Sequence, residues 1–433
     1  MTPEEGSAHV VSPAIADDDL VFQEYLSNEP SSLGRRMIRS HATMTQSSSA
    51  KARPIMFHIV PKRGQREIQS RRLAQSHLIA LEELLDPYHQ DLIDLFFAKV
   101  NICFPIFDEE MFRRTYTTSK ESNGAMLGMA VALANSFGLN RDPSHWNLSP
   151  SEKRFRIRIW WLLVIYDVWS SLAYGTPPHV HHSQCDVPTP TAEDIFGTSA
   201  SSDRMAAAEC FVALITLTQV LSHCLEHVYK LESFVTNTDL RPDLDSLLVI
   251  WEDSLPTDEL RRSVLRGTKL NAPGTANLRL AYLSVRLLIC RSRLSHDNNS
   301  KEDIDSHHNI QARRVCEDIV HLVQELDEAC LADFWIPLNA HALTSATTFL
   351  MRTALRSKDS VRNPSLKLAR TMIDTLQWYR RQYEWDMAEN CIANCGDILD
   401  KIELVCNAVD QYPAELDLSF LEGLDFAIDT HQY

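Results

Sequence analysis

Hydrophobic residues recur along most of this chain at steps of three and four, the spacing of helices buried along one face. Leu73, His77, Leu78, Leu81, Leu84 and Leu85 share one face of a first segment, which Pro87 punctuates. A second segment, Asp91 to Val100, carries Leu92, Leu95, Phe96 and Val100. It leads into Asn101-Ile102-Cys103-Phe104-Pro105-Ile106-Phe107-Asp108, where Pro105 breaks the pattern because it has no backbone N–H to donate. Helical spacing continues over Met205 to Glu232, Leu244 to Leu255, Asn277 to Leu294, Ile310 to Ala332, Leu338 to Ser357, Pro364 to Tyr383 and Asp397 to Val409. No alternation of period two is long enough to argue for a sheet. The expected fold is all-α, a multi-helix array without a simple bundle order.

The best-specified element starts at Ser149. Serine is a good N-cap, Pro150 suits the first helical position, and Glu152 completes a capping box. The helix should run to about Ala173, where Gly175, Pro177 and Pro178 stop it. Its first turns carry Lys153, Arg154, Arg156 and Arg158; from Ile159 to Tyr166 it is apolar all round, as in a helix buried inside a larger domain. Asp167 falls within that apolar part and needs a partner. Arg141 is the expected one, since its loop flanks the helix.

The ends of the chain read differently. Residues 1–70 lack a sustained period and are expected to be disordered. Net charge is -16, yet Arg35 to Arg72 holds ten Lys/Arg against Glu67 alone, +9, leaving about -25 elsewhere (-16 minus 9). Any nucleic-acid contact should therefore come from this basic stretch, which fits a nuclear-localisation signal, a phosphate-contacting arm or a solvated linker. In the 411–433 tail, acids alternate with Leu418, Phe420, Leu421, Leu424, Phe426 and Ile428. Such a segment folds on a coactivator groove, or it docks on the body as a last amphipathic helix.

Candidate chemistry is sparse. The ten cysteines include no Cys-x2-Cys pair and read as small buried hydrophobes; Cys391 and Cys395, one helical turn apart, are the pair whose spacing would allow ligation. His179, His181, His182 and Cys185 form a His-x-His-His-x-x-Cys run that could hold a metal but reads better as a solvent-facing loop, and no metal ligand is assigned. Leu81-Glu82-Glu83-Leu84-Leu85 matches a Leu-x-x-Leu-Leu docking helix and equally suits core packing. Phosphate-loop, Gly-x-Gly-x-x-Gly, Gly-x-Ser-x-Gly and His-Glu-x-x-His patterns are missing, so no catalytic or cofactor residue is expected. The chain starts without a charged region followed by an apolar core, and its longest uninterrupted apolar run, Ile159 to Tyr166, falls far short of the ~20 residues of a membrane span. A soluble intracellular protein is expected.

Asn135-Ser136-Phe137-Gly138-Leu139-Asn140-Arg141-Asp142-Pro143, Trp146, Ser149-Pro150-Ser151-Glu152-Lys153-Arg154, Arg156-Ile157-Arg158-Ile159-Trp160-Trp161, Asp167, Tyr174-Gly175-Thr176-Pro177-Pro178 and Cys185-Asp186-Val187-Pro188-Thr189-Pro190 together resemble the fungal-specific transcription factor domain, or middle homology region, of zinc-cluster regulators. The Phe104-Pro105-Ile106 turn resembles that domain's opening, and Trp251, Leu255-Pro256 and Leu278 to Arg293 its later part. The resemblance implies a nuclear transcriptional regulator, or a fragment of one, whose helical domain is a regulatory and protein-interaction platform. Its structural motif residues are Arg141, Asp142, Trp146, Ser149, Glu152, Arg158, Trp160, Trp161, Asp167, Gly175, Pro178, Asp186 and Pro188. Domains are then expected over 71–300, with a helical extension of the same array over 301–410.

Two departures stand out. A zinc cluster needs six cysteines within about thirty residues, whereas the first cysteine here is Cys103. Zinc is thus expected only if an N-terminal cluster is missing from this chain, and DNA would be reached through that module or a DNA-binding co-regulator. The interior between Phe112 and Ala125 is also short, with several family helices unaccounted for across 113–124; a truncated gene model and a shortened protein both explain it. Phe57-His58-Ile59-Val60-Pro61-Lys62-Arg63-Gly64, Leu73 to Leu81 and Gly128 to Ala134 resemble the nitrogen-catabolism activator subgroup. The remaining expected partners are the transcription machinery and a second copy in a dimer, with no membrane. The competing expectation is a helical domain that senses a small metabolite and modulates a partner regulator.

Overall fold

The computed structural model describes residues 7–10, 38–41, 55–60, 91, 94–103, 105, 107, 109, 127–196, 200–228, 243–268, 270, 272–296, 307–356 and 359–411, the first three segments by backbone alone. The expected helix at Leu73 to Leu85, with its leucine docking pattern, lies outside the described residues. So do most of the basic segment, the 113–124 interval and residues 412–433 with Leu418, Phe420, Leu421, Leu424, Phe426 and Ile428.

The body is all-α. After a π-helical turn (Phe96–Val100) and a short helical turn (Asn101–Cys103) come α1 (Leu127–Ser136), α2 (Pro150–Tyr174), α3 (Ala192–Phe196), α4 (Ser202–Val228), α5 (Leu244–Ser254) and α6 (Asp258–Arg266). The second half holds α7 (Thr275–His296), α8 (His307–Gln324), α9 (Glu328–Leu331), α10 (Ala340–Arg356), α11 (Asp359–Tyr383) and α12 (Glu389–Gln411). Nearer the N-terminus, β1 (Ser7–Val10) and β2 (Ile38–His41) each pair antiparallel with β3 (Ile55–Val60), in the order β1-β3-β2. These strands were not expected: at four to six residues each, they are too short for alternation to stand out.

Helix α2 forms as its sequence dictates. The Ser149 hydroxyl accepts from the Glu152 N–H at 3.3 Å, and the Ser149 N–H donates to Glu152 Oε2 at 2.9 Å. At the far end Gly175 takes φ 72°, and its N–H donates to the Ser171 carbonyl at 3.0 Å, closing the last turn. Between these caps Trp160, Trp161, Ile165, Val168 and Trp169 are buried.

The hub is α4, which packs against α2, α3, α5 and α7. Among the described residues it is the one helix long and apolar enough to cross a membrane by length and composition, and 67% of that apolar stretch is buried by its neighbours. Counting uninterrupted apolar runs misses it because Thr216, Thr218 and Gln219 punctuate the segment. Buried Thr218 and half-buried Thr216 donate back to the carbonyls of Leu214 (2.8 Å) and Ala213 (3.0 Å), so neither hydroxyl goes unpaired within the packed helix.

A second tier extends the core. α7 lies between α4 and α8, α8 meets α10 and α11, and α10 meets α11 and α12. Trp335, Tyr379 and Trp385 lock this tier edge to face, with ring centroids 5.3 Å (Trp335–Trp385) and 5.8 Å (Tyr379–Trp385) apart. The Tyr379 hydroxyl reaches the carbonyls of Val323 (2.7 Å) and Leu326 (3.0 Å), where α8 ends. Three boundaries differ most from the sequence reading: α11 starts at Asp359, with Pro364 inside it; α12 starts at Glu389, ahead of the expected Asp397; and Asp327 caps a separate α9 at the Cys330 N–H (2.8 Å), so the expected Ile310 to Ala332 helix is split.

Candidate functional site: the loop that closes on α2

The family motif residues lie on α2 and on the two loops that flank it. On the N-terminal side, Gly138 turns the chain at φ 64°, and a Cβ there would come within 3.2 Å of the Trp146 indole. The Arg156 guanidinium stacks on Trp146 at 4.6 Å, and Lys153 Nζ donates to the Ser144 carbonyl at 2.8 Å. The first basic turns of α2 thus hold down the 137–148 loop. Asp142 accepts from the Ser144 hydroxyl and from the Ser144 N–H (2.9 Å), and these donors keep its carboxyl below the usual range.

The loop that leaves α2 returns to this point. The Asp186 carboxylate accepts from the Asp142 N–H at 2.8 Å and lies 3.6 Å from the Arg141 guanidinium. The Asp186 N–H donates to the Asn140 carbonyl at 3.2 Å, and Asn140 Nδ2 donates to the Gln184 carbonyl at 3.0 Å. Further contacts fasten the return loop and α3 to α2. Trp161 Nε1 donates to the Pro188 carbonyl at 2.9 Å, and Arg158 Nη1 donates to the Ile195 carbonyl at 3.4 Å. The Ser171 hydroxyl donates to the Thr176 carbonyl beside Gly175, two residues before Pro178.

The expected Arg141–Asp167 pair does not form. Asp167 lies seventeen residues beyond Pro150, about 25 Å along the axis at ~1.5 Å per residue, whereas the Arg141 loop is tied to the first turns. Arg141 pairs with Asp186 instead. Asp167, 1% exposed, accepts from the Val180 N–H at 2.8 Å and meets His179 Nδ1 at 2.6 Å. The buried carboxylate is therefore satisfied by the loop that follows its own helix. On the opposite side of α2, Trp169 Nε1 donates to the Thr218 hydroxyl on α4 at 3.0 Å.

The histidine run is split between tasks. His179 serves Asp167, while Cys185 is half-buried with its thiol toward the His182 carbonyl (3.4 Å). His181 and His182 turn instead toward Glu226 of α4. Sequence reasoning did not find Glu226, although His223 and Glu226 are three apart and so share a helical face. Asn140 and Gln184 were also unforeseen, since no local pattern announces a loop-to-loop bond. Cys391 and Cys395 are fully buried on α12, with Cys391 Sγ 3.4 Å from the Thr347 hydroxyl, as small core residues.

Fold and site together define an all-helical scaffold domain whose polar motif residues tie loops to a buried helix. Residues 117–260, about a third of the chain, match the fungal specific transcription factor domain. A transcriptional regulatory protein of Schizosaccharomyces pombe is 23% identical over 229 residues, covering 51% of this chain and 28% of that protein. The acetamidase regulatory protein of Aspergillus fumigatus is 28% identical over 166 residues, covering 38% of this chain and 20% of that protein; its Emericella nidulans namesake matches to the same extent. The chain spans about a quarter of the length of these curated relatives. No solved structure matches it.

Cys103, Cys210, Cys224 and Cys330 are free and buried, and burial pushes the thiols of Cys210, Cys224 and Cys330 up to about 12.

Proposed function

We propose that this chain acts in the nucleus as a transcriptional regulator, its helical body serving as a platform for other proteins. The match over residues 117–260 carries the reading, and the capping box, the Asp186 clamp and the buried Trp160 and Trp161 support it. Recruitment to promoters would run through a DNA-binding co-regulator or a zinc-cluster module outside these residues. The relatives named for acetamidase regulation, together with the resemblance of Gly128 to Ala134 to nitrogen-catabolism activators, favour genes of nitrogen-source use. Nothing in the function requires turnover: the motif's polar groups are engaged in holding loops in place.

The test is to fuse the full chain to a heterologous DNA-binding module and measure a reporter carrying that module's site. A severalfold change in transcription is expected, and a chain ending at residue 411 should lose most of any activation. A reporter that stays at the level of the bare DNA-binding module would reject the proposal.

A further inference from the structure

His181 caps a short 3-10 turn, His182–Gln184, in the loop after α2. His182 Nδ1 lies 2.8 Å from Glu226 Oε1, and His181 Nε2 lies 3.5 Å from the same oxygen. The ligand atoms of the three residues all fall within 4.8 Å of one another. His223, one turn before Glu226 on α4, brings its ring to 4.9 Å from that of His182. Two imidazoles thus meet one carboxylate across elements 44 residues apart, with the His223 ring beside that of His182.

We infer that His181, His182 and Glu226 form a site for a divalent transition-metal ion of the zinc type, with His223 or water in the fourth position. Two imidazole nitrogens and one carboxylate oxygen suit zinc; calcium and magnesium require mostly oxygen donors. Ligands at ~2.0–2.1 Å in a tetrahedron stand roughly 3.3 Å apart, and the observed 2.8 and 3.5 Å separations bracket that spacing. His181 Nδ1 accepts from the Ser183 N–H at 3.3 Å and lies 2.8 Å from the Ser183 hydroxyl, which fixes the ring with Nε2 toward Glu226; a metal at Nε2 would move the ring proton to Nδ1, exchanging the long N–H contact for a bond to the Ser183 hydroxyl. Both histidines are about half exposed, so an ion can enter from solvent. Once bound, it would cross-link the loop that carries Asp186 to the hub helix and stabilise the folded chain. The site stands whether or not the chain regulates transcription.

The experiment uses the full chain stripped with chelator, then titrated with Zn2+ by calorimetry and with Co2+ by visible absorption. One ion per chain is expected, with the intense d–d bands of tetrahedral cobalt and no thiolate charge-transfer band. Loss of outer-shell partners alone weakens metal sites by roughly 10–100-fold, so His182→Ala and Glu226→Gln should each weaken binding at least tenfold. His307→Ala, at an exposed histidine elsewhere, should leave it unchanged. If either variant loses helical circular dichroism, His181→Gln takes its place. Unchanged affinity in the site variants, a cobalt–thiolate band or no saturable binding by the wild type would overturn the inference.

Discussion

Replacing Asp167 by Ala probes the contact that joins α2 to its return loop. The carboxylate is 1% exposed, and Val180, whose N–H it accepts, is also buried. Removing it strands that N–H, at a cost of about 1–3 kcal/mol. The bond to His179 adds at most ~1 kcal/mol because that imidazole is 55% exposed and can turn to water. Relief of the carboxylate's desolvation offsets part of the loss. A net destabilisation of about 2 kcal/mol follows for Asp167→Ala, and about half of that for Asp167→Asn, whose Oδ1 still accepts from Val180. Urea unfolding of the full chain, followed by circular dichroism, measures both, with His179→Ala completing a double-mutant cycle. An Ala variant within about 0.5 kcal/mol of wild type, or an Asn variant as damaging as Ala, would refute the assignment of Val180 as the partner that matters.

Other consequences can be checked separately. Gly267 adopts φ 73°, and a Cβ there would meet the buried Arg279 guanidinium at 2.9 Å while that side chain is held by the Val264 carbonyl; Gly267→Ala should cost at least ~1–2 kcal/mol of stability in the same urea assay. Ser149→Ala should cost about 1 kcal/mol through loss of the α2 cap. The Ser149 hydroxyl and N–H hold the Glu152 carboxyl below the usual range, so its contribution is complete above the ordinary carboxylate pKa and is lost as pH falls through the lowered value; Glu152→Gln should therefore flatten the acid limb of a stability–pH curve. Native-state maleimide labelling with mass spectrometry should find Cys185 modified well before Cys210, Cys224 and Cys330, whose thiols are pushed up to about 12.

The sequence discloses local features more readily than distant ones. Ser149, Pro150, Glu152 and Gly175 act within one helix, so both ends of α2 were readable before any coordinates. The apolar girdle from Ile159 to Tyr166 announced a buried helix, and Trp160 and Trp161 are indeed inside at 1% and 4% exposure. What spacing cannot supply is which loop meets which side chain. Arg141 and Asp167 are opposite charges in adjoining segments, yet the length of α2 separates them; the true partners, Asp186 for one and His179 with the Val180 N–H for the other, depend on how the 175–191 loop folds back. Glu226 was hidden for the same reason: its tie to His181 and His182 arises only when α4 packs beside that loop. The helix pattern also failed to flag α4 as the hub, since interior threonines that satisfy themselves against their own helix look polar in a linear reading.

Hydrogen exchange on the full chain is the most direct measurement of whether α2 and α4 are the interior framework on which everything else is hung. Amides of residues 160–169 and 211–221 should exchange only through global unfolding and be the slowest in the chain. Exchange in either segment as fast as on the exposed face of α5, around Val249 and Ile250, would contradict a scaffold built on these two helices.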